Sequence, residues 1–317
     1  MLLITNKNII PIFCWIFLLF FVAQSIPDEP DDPQGYSEII PFNNRVLAVG
    51  TDGRVDYITQ SGESVTVDTS SQLKLNTVFS NDEILIVAGD HGTIFYSLDA
   101  QSFHYAESGT ESNINTIASL NGWILAGADK GLVLISQDGE SWNQMQTDAK
   151  GDILSLTSNP SFLIGITDAD EIIKSVDGFD WEISDYNQVY AGYNPHANFG
   201  KILVFENSIV IIGTHDNGLP CILFSSLGNV WTERLPAYYD DEGIIRLLTN
   251  KPNDILFDRD NNQIILACDD GVLFSLPNCT KCNQYLKISE SNLNAITYVD
   301  HCLIIAGADY SVFIQRL

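Results

Sequence analysis

Carboxylates supply most of the chemistry this chain could do: 41 Asp and Glu stand against 15 Lys and Arg, a net charge of −26. A pair of carboxylates is the apparatus of glycoside hydrolysis, one as acid and the other as base or nucleophile. At this density, however, some pair always falls at the right separation. An acidic surface of this strength repels nucleic-acid phosphates and anionic membranes, and it admits calcium and basic proteins. The Ser-centred elbow, the HExxH helix and the phosphate-binding loop are missing. Five cysteines remain beyond residue 25: Cys221, Cys268, Cys279, Cys282 and Cys302. Cys279 and Cys282 share the turn-like PNCTKC and are expected to close a local disulfide, since a redox CxxC would open a helix. The one glycosylation sequon of the exported chain, Asn278-Cys279-Thr280, overlaps that turn. No metal ligand set and no cofactor is assigned, calcium being the cation the acidic turns would admit.

These residues ride on a repeat. An apolar run closing on a small residue, then a turn rich in Asp and Gly, recurs seven times: VLAVGTDG, LIVAGDHG, ILAGADKG, FLIGITDAD, VIIGTHDNG, IILACDDG and LIIAGADYS. Gly50, Gly89, Gly127, Gly165, Gly213, Cys268 and Gly307 are equivalent, at a spacing of about 40 residues. Short β-rich segments at that period predict an all-β, seven-bladed β-propeller of four-stranded antiparallel blades. The third repeat reads most plainly, with strands over 113–119, 122–128, 132–137 and 142–147. The last repeat ends at Leu317 after three strands.

Ahead of the repeats, Lys7, an apolar run from Ile9 to Ala23, and Ala23-Gln24-Ser25 read as a cleaved signal peptide over residues 1–25. The run falls short of the roughly 20 residues that span a bilayer. Residues 26–35, with three prolines and four acids, read as an extended linker, and 36–317 as the propeller. The expected location is secreted, outside the cell.

A second phrase lies between the third and fourth strands of four repeats. It reads SQDGESW (Ser136, Asp138, Gly139, Trp142) and SVDGFDW (Ser175, Asp177, Gly178, Trp181), with weaker copies at Ser97–Phe103 and Ser225–Trp231. This resembles the Asp-box (BNR-like) of sialidase-type repeat propellers and of the photosystem II stability and assembly factors, one residue shorter. The resemblance covers about residues 74–235 and implies a fold. The Asp caps its own turn, the Gly supplies positive φ, and the aromatic covers the blade edge. The sialidase likeness would also imply an arginine triad and a Tyr–Glu nucleophile pair. Arg45, Arg54, Arg234, Arg246, Arg259 and Arg316 are scattered, and that family's N-terminal arginine motif is absent.

With the four strands of a repeat labelled a to d in chain order, antiparallel order puts the b–c turns and the d-to-a connections on one rim and the boxes on the other. The first rim collects the turn acids (Asp52, Asp90, Asp129, Asp168, Asp216, Asp269, Asp309) together with three long insertions, at 184–200, 234–248 and 250–262. Tyr190, Tyr193, His215, Asp216, Tyr238, Tyr239, Asp240 and Asp241 are the expected contact residues, since exposed aromatics on loops supply binding energy. The function expected is non-enzymatic binding of an extracellular protein or glycan. The alternative is a propeller glycoside hydrolase using two carboxylates, which would require an open axial pocket.

Overall fold

The computed structural model describes residues 34–81, 83–186, 197–277 and 283–316. The signal segment, residues 26–33, Tyr190, Tyr193, Cys279 and Cys282 lie outside the described residues.

Seven sheets follow one another in sequence. Blade 1 comprises β1 (Tyr36–Phe42), β2 (Arg45–Gly50), β3 (Val55–Ile58) and β4 (Ser64–Val67). In blade 2 the strands are β5 (Leu75–Ser80), β6 (Leu85–Gly89), β7 (Ile94–Ser97) and β8 (His104–Ala106). Blade 3 holds β9 (Ile114–Leu120), β10 (Trp123–Ala128), β11 (Leu132–Ser136) and β12 (Asn143–Gln146), within a residue or so of the spans read from sequence. Blade 4 follows with β13 (Ile153–Asn159), β14 (Phe162–Thr167), β15 (Glu171–Ser175) and β16 (Glu182–Asp185). The strands of blade 5 are β17 (Ala197–Phe205), β18 (Ser208–His215), β19 (Pro220–Ser225) and β20 (Thr232–Glu233). A separate hairpin, β21 (Ala237–Tyr239) and β22 (Ile245–Leu247), precedes blade 6. That blade contains β23 (Pro252–Asp258), β24 (Gln263–Cys268), β25 (Val272–Pro277) and β26 (Gln284–Lys287). Blade 7 has three strands, β27 (Leu293–Val299), β28 (Cys302–Gly307) and β29 (Val312–Arg316).

The first strand of each blade touches the first strand of both neighbours, and β1 meets β27, so these strands ring a common axis. The second strands are the most apolar because blades cover both of their faces, as in the buried run Val46–Val49. Each first strand carries a one-residue bulge, at Ser37, Asn76, Asn115, Leu154, Gly200, Asn253 and Asn294. A bulge leaves a residue unpaired and re-aims its side chain. The chain uses this to stitch blades together. Asn76, Asn115 and Asn253 each donate both to the b–c turn Asp of their own blade and to a carbonyl of the next blade's first strand, at 2.8–3.2 Å.

The repeat-defining small residues close the second strands. A Cβ on Gly50, Gly89, Gly213 or Gly307 would lie 2.0–2.2 Å from a carbonyl at or just before the start of the same blade's first strand. The 250–262 segment is no insertion: Pro252–Asp258 is the inner strand of blade 6. Its Asp254 and Asp258 disguised it as loop.

Closure of the ring uses the residues just before β1. Gly35 bridges Ala308, the amide of Asp309 donates to Gln34, and Tyr36 packs edge-on against Tyr310 with ring centroids 5.2 Å apart. Among the described residues β29 has no outer partner.

Candidate functional site

The two rims divide as their turn chemistry requires. On the box rim, Asp138 accepts from the amides of Glu140 and Ser141 at 2.9 Å, Ser136 caps Gly139, and the Trp142 indole donates to the Gly139 carbonyl. Asp177 repeats this with Phe179 and Asp180, and Asp99 with Gln101 and Ser102. Those amide bonds, from Ser141, Asp180 and Ser102 first, hold all three carboxyls below their ordinary range. Gly139 docks on the preceding blade, where a Cβ would meet the Ile84 and Ile86 side chains at 2.6–2.8 Å. Trp142 and Trp181 are half-buried and Trp231 fully so.

On the opposite rim most turn carboxylates are committed to their own scaffold. Asp90, Asp129 and Asp269 hold the bulge asparagines, Asp168 accepts from the amide of Asp152, and Asp52 faces Gln34 and Tyr310. Their recurrence follows from turn architecture, with Asp or Asn also capping the turn amides of the preceding blade at 2.8–3.0 Å.

The contact residues expected here separate into three groups. His215 is buried and is therefore no contact residue: it ends β18 with its Nε2 2.6 Å from Glu233 Oε1. Asp216, Tyr239 and Asp241 are exposed. Tyr238 and Asp240 build the hairpin itself. The Tyr238 ring stacks on Tyr285, centroids 4.7 Å apart, and meets Phe274 edge-on. Asp240 accepts from the amides of Glu242 and Ile244 and from Arg246 Nε at 2.8 Å, and Arg246 in particular keeps its carboxyl ionised below the usual range.

The register of this hairpin decides what it shows. Tyr238 pairs with Arg246, on the face turned to Tyr285, while Tyr239 pairs with Ile245 and Ala237 with Leu247 on the other face. That second face is apolar and open: Tyr239 is 56% exposed, Ile245 62% and Leu247 43%, with Leu235 and Ile244 exposed beside them. Sequence reading located the segment and its tyrosines but missed Ile245 and Leu247. The signal was present, in AYY and IRL flanking the turn DDEG.

At the axis, the residue after the bulge serves as another stitch in four blades. Glu38, Thr116, Ser155 and Asp254 accept from the amides of Val78, Leu156, Ile202 and Ile296 in the following blade, at 2.8–3.3 Å. Blade 5 has Lys201 in this place, and its Nζ crosses the axis to Glu38 Oε1 at 2.8 Å. Burial opposes the lysine's charge, but Glu38 and Asp254 outweigh it and keep it protonated. Asp254 is pushed up to about 6, because burial costs its charged form more than Lys201 and the Ile296 amide return. Both axial carboxylates are thus engaged with the scaffold. An open cleft between blades 1 and 2 on the box rim is lined by Glu38, Glu83 and Asp99 but does not reach Asp254. Of these carboxylates, Glu38 is tied to Lys201 and Asp99 to its own turn amides.

One further cluster was not foreseen. His215, Cys221 and Glu233, on three adjacent strands of blade 5, each offer a ligand atom within 4.8 Å of the others.

No protein-family profile matches the sequence, and no curated protein matches it. Solved structures do. The chain resembles "YCF48 bound to D1 peptide" at 16% identity and TM-score 0.66, over 94% of this chain and 100% of that one. It resembles YCF48 from Cyanidioschyzon merolae at 15% identity and TM-score 0.64, over 91% and 97%. The extracellular domain of the putative one component system BT4673 from B. thetaiotaomicron matches at 12% identity and TM-score 0.66, over 91% of this chain and 39% of that one. At these identities the likeness establishes the propeller fold, in agreement with the repeats.

Proposed function

We propose that this is a secreted, non-enzymatic propeller that binds another extracellular protein through the 237–247 hairpin. The observation that carries the reading is the hairpin's outward face, Tyr239, Ile245 and Leu247, held rigid by the Tyr238–Tyr285 stack beneath it. A β-ribbon that turns an apolar face to water while its other face is anchored gains by being covered, and aromatics supply much of the energy at such interfaces. Asp241 and Glu242 at its tip, and the net charge of −26, select a partner whose apolar surface is edged with basic residues. Aliphatic side chains at this density suit a protein better than a glycan. That one structural neighbour was solved with a peptide, and another is an extracellular domain, supports the same direction.

Other exposed apolar residues, Leu98, Val176, Phe179, Leu227 and Val230, lie in the boxes on the opposite rim. They provide the control. A photo-crosslinking amino acid at Tyr239 or Ile245, in protein added to extracellular medium, is expected to trap one discrete partner, whereas the same label at Leu227 traps none. Equal labelling from both rims would dismiss the hairpin as the contact surface.

A further inference from the structure

Three strands of blade 5 bring together an imidazole, a thiol and a carboxylate. His215 closes β18, Cys221 lies near the start of β19 opposite Gly213, and Glu233 ends β20 in register with Leu223. The pleat puts all three on the face that packs against blade 4, in the cluster that holds Ile211, Leu223 and Trp231. The His215 side chain is 7% exposed and that of Glu233 23%, so the cluster is enclosed at one end and reaches solvent at the other. His215 presents Nε2 to Glu233, while its Nδ1 is buried and makes no hydrogen bond.

We propose that His215, Cys221 and Glu233 bind one thiophilic divalent cation of the zinc class, with a fourth position open to water. The donor set, imidazole with thiolate and carboxylate, suits zinc or cobalt and not calcium, which takes oxygen alone. Tetrahedral ligands at zinc bond lengths lie roughly 3.3–3.8 Å apart. The His215–Glu233 contact of 2.6 Å must therefore open a little, while the spacing of up to 4.8 Å closes. Binding forms a metal–sulfur bond and releases the thiol proton to solvent. No electron changes hands.

A nucleophilic cysteine assisted by His215 and Glu233 is the competing chemistry, and the geometry opposes it. Cys221 is 1% exposed and makes no hydrogen bond to the imidazole, and burial above all, then Glu233, pushes its thiol up to about 12. A buried neutral thiol attacks nothing, but a cation can still displace its proton. The benefit is local. β20 is only two residues long, and a metal would fasten it to β18 and β19 where the chain leaves for the 237–247 hairpin.

Titration of the full chain with Co(II) tests this. One equivalent is expected to give the near-ultraviolet band of a thiolate–cobalt bond, and Zn(II) is expected to abolish it by displacement. The band is expected to persist when Cys279 and Cys282 are both changed to Ser, and in Cys268→Ser. It is expected to vanish in Cys221→Ser, with affinity reduced at least about 100-fold. Should Cys221→Ser not fold, Glu233→Gln at the solvent edge is expected to weaken binding at least tenfold. Absence of the band in the unaltered protein, its survival in Cys221→Ser, or unchanged affinity in Glu233→Gln would overturn the proposal.

Discussion

Lys201 occupies a place that a hydroxyl or carboxylate fills in most other blades, and the exchange turns a stitch between neighbours into a tie across the axis. Asp254 bears the cost. Its carboxyl titrates near 6 in the folded protein against about 3.9 in an unfolded chain, so its contribution to stability is complete below about pH 4 and disappears as pH rises through 6. Asp254→Asn is therefore expected to match the unaltered protein near pH 4 and to exceed it by up to about 2 kcal/mol at pH 7.5 in denaturant melts. The box aspartates run the other way. Asp138 and Asp177 are held low by amides, so what they add is present at neutral pH and lost as pH falls through the acid range. Among the box tryptophans, burial decides which carries the most stability. Trp231, 4% exposed, packs against Ile164 and Ile209, so Trp231→Ala is expected to cost about 3–5 kcal/mol, with Trp142→Ala costing less.

The b–c turn shows why some elements were legible and others were not. Asp52, His91, Lys130 and Asp270 all sit at positive φ, and each is followed by a glycine at φ of 63–70°. The carbonyl of the incoming d-to-a connection lies 2.0–2.5 Å from where a Cβ would be on Gly53, Gly92, Gly131 and Gly271. A constraint this local leaves the same letters in four of the repeats, and the small residue that closes the second strand carries the count to seven. Gly92→Ala is expected to lose several kcal/mol in thermal unfolding, whereas Gly218→Ala, with open space around it, loses only the roughly 1 kcal/mol of its left-handed backbone. Because Asp90, Asp129 and Asp269 each answer to a bulge asparagine of their own blade, millimolar calcium is expected to leave the unfolding temperature unchanged. The hairpin and the His215 cluster were harder to read. The hairpin interrupts the period instead of repeating it, and the cluster joins residues whose proximity depends on strand register.

For the molecule as a whole, seven blades form a ring that needs neither the hairpin nor the cluster in order to close. Closure rests on Gln34, Gly35 and Tyr36 against Ala308, Asp309 and Tyr310, at the opposite end of the chain from either feature. The hairpin is thus an addition to a closed ring, tied to blade 6 through Tyr238 on Phe274 and Tyr285. Replacing residues 237–247 by a connection like that of residues 68–74, between blades 1 and 2, tests this most directly, with unfolding temperature and capture of the crosslinked partner read on the same preparation. A protein that still unfolds in one cooperative transition, somewhat below the unaltered temperature, with the partner lost is the predicted result. A partner retained at full strength by the shortened protein would contradict it.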